Sequence, residues 1–208
     1  NNYIYCSAIF NSKYDDKTNY LLENAGPCNA LISKELIDRI GFNFPEDIIY
    51  EDLTIVPILG MIAKKIVYIN EALYFYETRL NSTMNQTIYN PKLEDIFTSI
   101  NYLMDNYKKY NLNYPEIFEY IVIRRLMSAS LRFIEFNDPN ECLLKIKNYM
   151  QNKFPNWRKN KYFKELPFKQ KMVAVLAFKN NKKILRLLYK FNRVGKKKWK
   201  ELQYYQKI

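Results

Sequence analysis

Up to about residue 90, apolar runs of two kinds alternate along the chain. The segments 3–10, 66–69 and 72–78 are rich in β-branched and aromatic residues, which is typical of strands. The segments 29–41 and 52–65 space their apolar residues as helices do, and Gly41 is the expected C-terminal cap of the first. Strands that alternate with helices predict an α/β fold, of which this stretch is about half a domain.

After residue 90 the apolar spacing is helical almost throughout. Pro91, Pro115 and Pro139 each predict the first turn of a helix, since proline fits the first helical position. Two further helices are expected over residues 165–178 and 180–193. The sequence therefore predicts an α/β part followed by an all-α part.

This change of pattern divides the chain into two predicted domains, residues 1–90 and 91–208.

Charge is also distributed unevenly along the chain, with the change near residue 142. The net charge is +12, and residues 142–208 carry 20 Lys or Arg against 2 acidic residues, whereas residues 1–141 carry 13 against 19. A strongly basic C-terminal third predicts an anionic partner and carries no information about the fold.

Composition excludes several kinds of chemistry. The chain has no histidine, which excludes His-based triads and the usual zinc sites, and its 4 glycines form no phosphate-binding loop. Cys6, Cys28 and Cys142 are far apart and odd in number, so free thiols in a reducing compartment are expected. Because the chain reads as a strand from its first residues, we expect that an N-terminal part of a larger protein precedes it.

Two adjacent carboxylates, Glu51 and Asp52, follow a β-like run at residues 48–50 and precede the second predicted helix. At a helix start, carboxylates accept amide hydrogens and complement the helix dipole. Alternatively, one carboxylate at the carboxyl edge of a sheet can remove a proton from an acceptor hydroxyl. A glycosidase pair is not expected, because sequence neighbours point in different directions. The pattern alone leaves capping and catalysis open.

The region around this pair resembles a known enzyme family. The ordered pieces "GPCNALISKEL" (26–36), "FPEDIIYED" (44–52) and "AKKIVYINEALYFYETRLNS" (63–82) are together similar to family-2 glycosyltransferases of the bacterial surface-polysaccharide type. The resemblance covers about residues 2–86 and implies the C-terminal half of a GT-A-like mixed-sheet domain, followed by a helical C-terminal extension. It implies inverting transfer of a sugar from a nucleotide-diphosphate donor to a glycan or lipid-linked acceptor in polysaccharide synthesis.

The resemblance also implies roles for individual positions. The family's E-D pair falls on Glu51 and Asp52, which implies that Asp52 is the general base and that Glu51 orients the acceptor or supports the loop. The family's glycine after F-P-E falls on Asp47. Arg79 is expected either to neutralise the leaving diphosphate or to be an exposed loop cation. The positions implied to bind substrate are Gly26, Pro27, Cys28, Asn29, Arg79, Ser82 and Met84.

A metal site is implied only for the part of the enzyme that this chain lacks. The family's nucleotide-binding half carries a D-x-D motif, which the resemblance places before residue 1. The adjacent acids of "YDDK" (14–17) are expected to form a polar turn. The resemblance thus implies a divalent cation, Mg²⁺ or Mn²⁺, for the full-length enzyme and no metal in this chain, which alone is expected to be inactive.

The second candidate site is the basic helix predicted over residues 180–200. Its apolar residues recur at helical spacing and its cations lie largely elsewhere, which fits an anionic membrane surface. A packed helix with a solvated lysine face and a nucleic-acid contact are the alternatives. The residues expected at the membrane are Lys182, Lys183, Arg186, Lys190, Arg193, Lys196, Lys197, Lys198 and Trp199.

The 19 tyrosines and 13 phenylalanines are expected to pack in the core, since most share helical or strand spacing with aliphatic residues. Stacking on nucleic-acid bases is therefore not expected. The enzyme is expected to be cytoplasmic and peripheral on the inner membrane face. Its rival is a non-enzymatic module that binds a membrane surface or nucleic acid through its basic C-terminal helices.

Overall fold

The computed structural model describes residues 3–6, 13–22, 26–41, 43–69 and 88–191, with the backbone alone at Tyr3, Tyr5, Cys6 and Asn29. Contacts divide the chain into two compact units, Asn1–Val122 and Ile123–Ile208. The division falls within one helix, α5 (Pro115–Glu135). The domains predicted at residues 1–90 and 91–208 stay a prediction, because they rest on the hydrophobic pattern of the sequence, whereas the two compact units rest on contacts between residues.

The described residues of the first unit include a small sheet of three short strands. These are β1 (Tyr3–Cys6), β2 (Ala30–Ile32) and β3 (Lys65–Tyr68), in the order β2-β1-β3. The central strand β1 pairs antiparallel with β2 and parallel with β3. Ile4 lies opposite Ile66 in the parallel pair, and both side chains are buried.

The described residues of the first unit also form four α-helices before α5 begins. They are α1 (Asp16–Leu22), α2 (Lys34–Ile40), α3 (Val56–Ile62) and α4 (Asp95–Lys109). Nearly all of α3 is buried, and Gly60 allows this close packing. A Cβ added at Gly60 would lie 2.7 Å from Cε1 of Tyr20 and 2.9 Å from Cδ2 of Leu21, so any larger residue would require these side chains of α1 to shift.

Two predicted helices of the first unit begin later than the sequence indicates. Residues 30–32 of the predicted helix 29–41 form β2, because they pair with β1 rather than extending α2. Gly41 caps α2 as expected, with a φ of 56°. In the predicted helix 52–65, a 3-10 turn over Glu51–Thr54 precedes α3, and the break falls at Ile55, whose φ is −140°.

The helical prediction for the C-terminal part is confirmed. After α5, the second unit contains α6 (Cys142–Lys153), α7 (Lys161–Glu165), α8 (Phe168–Phe178) and α9 (182–191). Trp157 stands edge-on to Phe163 and Phe178, with ring centroids 4.8 and 4.9 Å apart. This aromatic cluster and the fully buried Phe133 form much of the core of the unit.

One of two smaller expectations is also met. Cys28 is an exposed free thiol and Cys142 a buried one. The adjacent acids of the "YDDK" segment, predicted to form a polar turn, instead begin a helix: Asp15 Oδ1 accepts the Thr18 N–H at 2.8 Å and so caps α1, whose first residue is Asp16. Within the described ranges, no helix combines the length and apolar character needed to cross a bilayer.

Candidate functional site

The acidic pair lies in the 3-10 turn Glu51–Thr54, which follows an irregular segment rather than a strand. The predicted β-like run at residues 48–50 is wrong, because Tyr50 adopts a left-handed conformation with a φ of 65° that no strand accommodates. The turn closes through Leu53 N–H to the Tyr50 carbonyl at 3.1 Å. The Thr54 hydroxyl then donates to the Glu51 carbonyl at 2.6 Å.

Both acids lie in the first turn of the 3-10 helix, as the helix-start interpretation expects, but among the described residues neither carboxylate accepts a capping amide hydrogen. The cap position of the turn is Tyr50 and that of α3 is Ile55, and neither position carries a side-chain cap bond. Glu51 is exposed and Asp52 half-buried. Among the residues that the structure describes, no hydrogen bond or ion pair engages either carboxylate.

Side chains from the start and body of α4 hold the acidic turn and the segment before it. Lys92, in the 3-10 turn that leads into α4, donates to the Asp47 carbonyl at 3.0 Å. Ile49 N–H donates to Asp95 Oδ2 at 3.0 Å, and the Ser99 hydroxyl donates to the Ile49 carbonyl at 3.2 Å. Asn106 Nδ2 donates to the Thr54 carbonyl at 3.0 Å. We call Lys92, Asp95, Ser99 and Asn106 the α4 brace.

The α4 brace compensates for backbone groups that have no partner strand. Residues 47–54 lie outside the sheet, so their backbone groups have no ladder partners, and backbone polar groups left unpaired away from water are costly. The brace supplies those partners, and Ser99 does so from a fully buried position. Sequence reasoning missed these residues. Their signal is spacing, since positions 92, 99 and 106 repeat every seven residues and share one helical face with Asp95.

Two residues of the braced segment adopt left-handed backbone conformations. Asp47 has a φ of 60° and Tyr50 a φ of 65°. The left-handed region is costly for residues with a Cβ and open to glycine. Asp47 stands where the glycosyltransferase pattern has glycine after F-P-E, and its conformation is therefore the one that a glycine would favour.

A pocket of ≈ 370 Å³ lies in the first unit between β2, α2 and α3. Its lining is almost entirely apolar and consists of Pro27, Ala30, Ile32, Ile37, Asn43, Phe44, Val56 and Leu59. Among the described side chains of the predicted substrate segment 26–29, Pro27 lines it and Cys28 does not. Neither Glu51 nor Asp52 does, so the described chain does not bring the two predicted parts of the site into this pocket.

The other predicted substrate residues are only partly described. Gly26 is half-buried and Cys28 exposed. The side chain of Asn29 and all of Arg79, Ser82 and Met84 lie outside the described residues. Among the residues described, no cluster of three or more Cys, Asp or Glu side chains could hold a metal ion.

The described part of the basic helix is α9, and its residues do not all face the same way. Lys183 and Lys190 are exposed, Arg186 is half-buried, and Lys182 reaches the buried Asp138 at 2.7 Å. The hydrogen bond from Lys182 to the Asp138 carboxylate raises the pKa of Lys182 above its ordinary value of 10.5. The remaining predicted membrane residues lie outside the described chain: Arg193, Lys196, Lys197, Lys198 and Trp199.

The predicted apolar face of α9 is divided between two sides of the helix. Leu185 is fully buried, whereas Ile184, Leu187 and Phe191 are exposed.

Comparison with known proteins finds no relative of this chain: no protein-family model, no curated protein and no solved structure matches it.

Proposed function

We propose that this chain is the acceptor-side part of an inverting glycosyltransferase with a GT-A-like fold. In this proposal the enzyme moves a sugar from a nucleotide-diphosphate donor to a glycan or lipid-linked acceptor in surface polysaccharide synthesis. The observation that carries the proposal is the acidic turn itself. Asp52 is half-buried, engages no described partner, and sits on a backbone that four side chains of the α4 brace hold in place.

A positioned carboxylate suits the first step of such a transfer. The Asp52 carboxylate removes the proton of the acceptor hydroxyl, and the oxygen attacks the anomeric carbon from the side opposite the diphosphate. The bond between the anomeric carbon and the diphosphate oxygen breaks, and the nucleoside diphosphate leaves with its electron pair. The brace matters here because displacement of a catalytic group by about 1 Å can cost on the order of a hundredfold in rate.

Two further features support the assignment. The left-handed Asp47 lies where the family pattern has glycine, which fits the expected alignment of the loop. The small sheet pairs β1 in parallel with β3 and antiparallel with β2, an arrangement compatible with one edge of a larger mixed sheet.

The donor side of the reaction is assigned to the rest of the protein. A divalent cation would neutralise the leaving diphosphate, but the described residues of this chain offer no ligand cluster for one. We therefore propose that the chain is inactive without its donor-binding half.

The test uses the whole protein that carries this chain and a panel of nucleotide-diphosphate sugars. Asp52→Asn keeps the shape of the side chain and removes its basicity, so sugar transfer should fall by about 10²–10⁴-fold. Glu51→Gln should cost less, because Glu51 orients rather than removes the proton. Asp105→Asn, an exposed carboxylate in α4, is the matched control and should leave the rate unchanged.

Circular dichroism should show the same fold for all three variants. Turnover that survives in Asp52→Asn would exclude Asp52 as the base. A whole protein that transfers no sugar from any donor of the panel would contradict the proposed function as such.

A further inference from the structure

An exposed apolar stripe runs along α9. Ile184, Leu187 and Phe191 expose 46%, 55% and 74% of their surface. They are spaced by three and four residues, which places them on one face of the helix over about 10 Å. The exposed Lys183 and Lys190 adjoin them in sequence. We call these five residues the α9 stripe.

The body of the second unit fixes the direction in which the stripe faces. Leu185 is fully buried and anchors the opposite side of α9. Lys182 reaches the buried Asp138, whose other carboxylate oxygen accepts the Leu143 N–H at 2.8 Å. The ion pair thus ties the start of α9 to the start of α6. Because both contacts are on the inner side, the outward orientation of the stripe follows from the fold of the unit.

Three large apolar side chains on one exposed face indicate a binding partner, whereas scattered single ones do not. The flanking lysines indicate the chemistry of that partner. An apolar row flanked by cations matches the boundary between acyl chains and anionic headgroups, where the stems of lysine lie along the apolar layer and the ammonium groups reach the phosphates.

Other partners fit less well. Nucleic acid would use the lysines but gains nothing from exposed aliphatic side chains, since its sequence-independent binding rests on cations and on aromatic stacking. A second copy of this chain, packed stripe to stripe, would bring the lysines of both copies together and repel. The strongly basic composition of residues 142–208 favours an anionic surface for the whole unit.

We propose that the α9 stripe docks this protein on an anionic lipid surface. Ile184, Leu187 and Phe191 enter the boundary between headgroups and acyl chains, and Lys183 and Lys190 bind the headgroup phosphates. Lys182, predicted from sequence to face the membrane, is instead the internal anchor. The inference stands on the geometry of α9 and the charge of residues 142–208, so a failure to detect sugar transfer would leave it untouched.

The test is vesicle flotation of the 208-residue chain. Vesicles of phosphatidylcholine alone are compared with vesicles in which a third of the lipid is phosphatidylglycerol, at low salt and at about 0.15 M ionic strength. The chain should float with the anionic vesicles and not with the neutral ones, and salt should weaken binding. Lys183→Glu/Lys190→Glu should lose at least about 25-fold in affinity, because each lysine near an anionic surface contributes about fivefold.

The apolar part of the stripe is tested without a change of charge. Leu187→Ser/Phe191→Ser should lose more than about tenfold in affinity while circular dichroism shows an unaltered fold. The matched controls lie in the first unit: Ile88→Ser removes an exposed apolar side chain, and Lys64→Glu/Lys108→Glu makes the same change of net charge. Both controls should bind within about twofold of the unmodified chain, since neither alters a residue of the α9 stripe.

Three outcomes would overturn the proposal. In the first, the stripe variants float as the unmodified chain does. In the second, the controls lose as much affinity as the stripe variants, which would make binding a matter of overall charge. In the third, Leu187→Ser/Phe191→Ser abolishes a dimer seen by sedimentation or binding to duplex DNA while vesicle binding persists.

Discussion

In the first unit, the acidic turn Glu51–Thr54 is held by hydrogen bonds from α4, whereas in the second unit α9 is held by a buried leucine and one ion pair. The difference follows from the kind of backbone involved. An irregular segment needs partners for its own amides and carbonyls, and a helix does not. Directional bonds therefore fix the turn, while packing fixes one side of α9 and leaves the other side available to a partner.

The largest expected effect tests whether packing dominates the second unit. Trp157→Ala removes the centre of the aromatic cluster with Phe163 and Phe178 and should lower the free energy of unfolding by about 3–5 kcal/mol. Hydrogen exchange should speed up in α6 to α8 and stay unchanged in α4. Phe168→Ala, which removes an aromatic side chain that is 75% exposed, is the control and should cost no more than about 0.5 kcal/mol. A loss below that value for Trp157→Ala would refute the importance of the cluster.

The ion pair between Lys182 and Asp138 should come next. Lys182→Met leaves the Asp138 carboxylate buried without its cation and should cost roughly 2–3 kcal/mol in urea unfolding. This is below the ~3–5 kcal/mol of a fully buried pair, because the Lys182 side chain is 36% exposed. Lys183→Met should be nearly neutral, and Asp138→Asn combined with Lys182→Met should recover part of the loss.

The same pair predicts a pH dependence. The pKa of Lys182 is raised in the folded protein above its ordinary value of 10.5, chiefly by the hydrogen bond to Asp138. Its contribution to stability is therefore complete below pH 10.5 and is lost as the pH rises through the raised pKa. The difference in unfolding free energy between the unmodified chain and Lys182→Met should shrink above that pH, and a constant difference would contradict this.

The smallest effect concerns the α4 brace. Asp95→Ala removes the acceptor of the Ile49 amide and should cost about 1–2 kcal/mol, with faster hydrogen exchange across residues 49–54. Asp95→Asn retains an acceptor oxygen and should preserve most of the protection. Asp105→Ala, an exposed position in the same helix, controls for changes in α4 itself. Unchanged exchange of the turn in Asp95→Ala would show that the brace does not order it.

The sequence predicted helices well where local signals determine them. Proline at the first helical position placed α5, and Gly41 marked the end of α2. It misplaced the start of α2 because residues 30–32 fit either a helix or a strand by spacing. Pairing with β1 decides between them, and the partner strand lies more than twenty residues away.

The candidate site divides in the same way. Adjacent acids at residues 51 and 52 could be read from the sequence, but the side chains that hold them could not, because they come from a helix that the pattern assigned to another domain. The hydrophobic pattern also did not predict which side chains of α9 face the core and which face solvent. Hydrophobic spacing does not reveal that Leu185 points inward while Leu187 points to solvent, since each is a leucine on the same short helix.

The seven-residue repeat of the α4 brace makes the length of this helix matter more than its surface chemistry. Each residue added to or removed from a helix rotates everything beyond it by about 100°. A one-residue deletion between Ser99 and Asn106 would leave Asp95 and Ser99 on the segment before the acidic pair but turn Asn106 away from the Thr54 carbonyl. Substitutions on the solvent side of α4 should therefore be tolerated during divergence, whereas insertions and deletions within it should not.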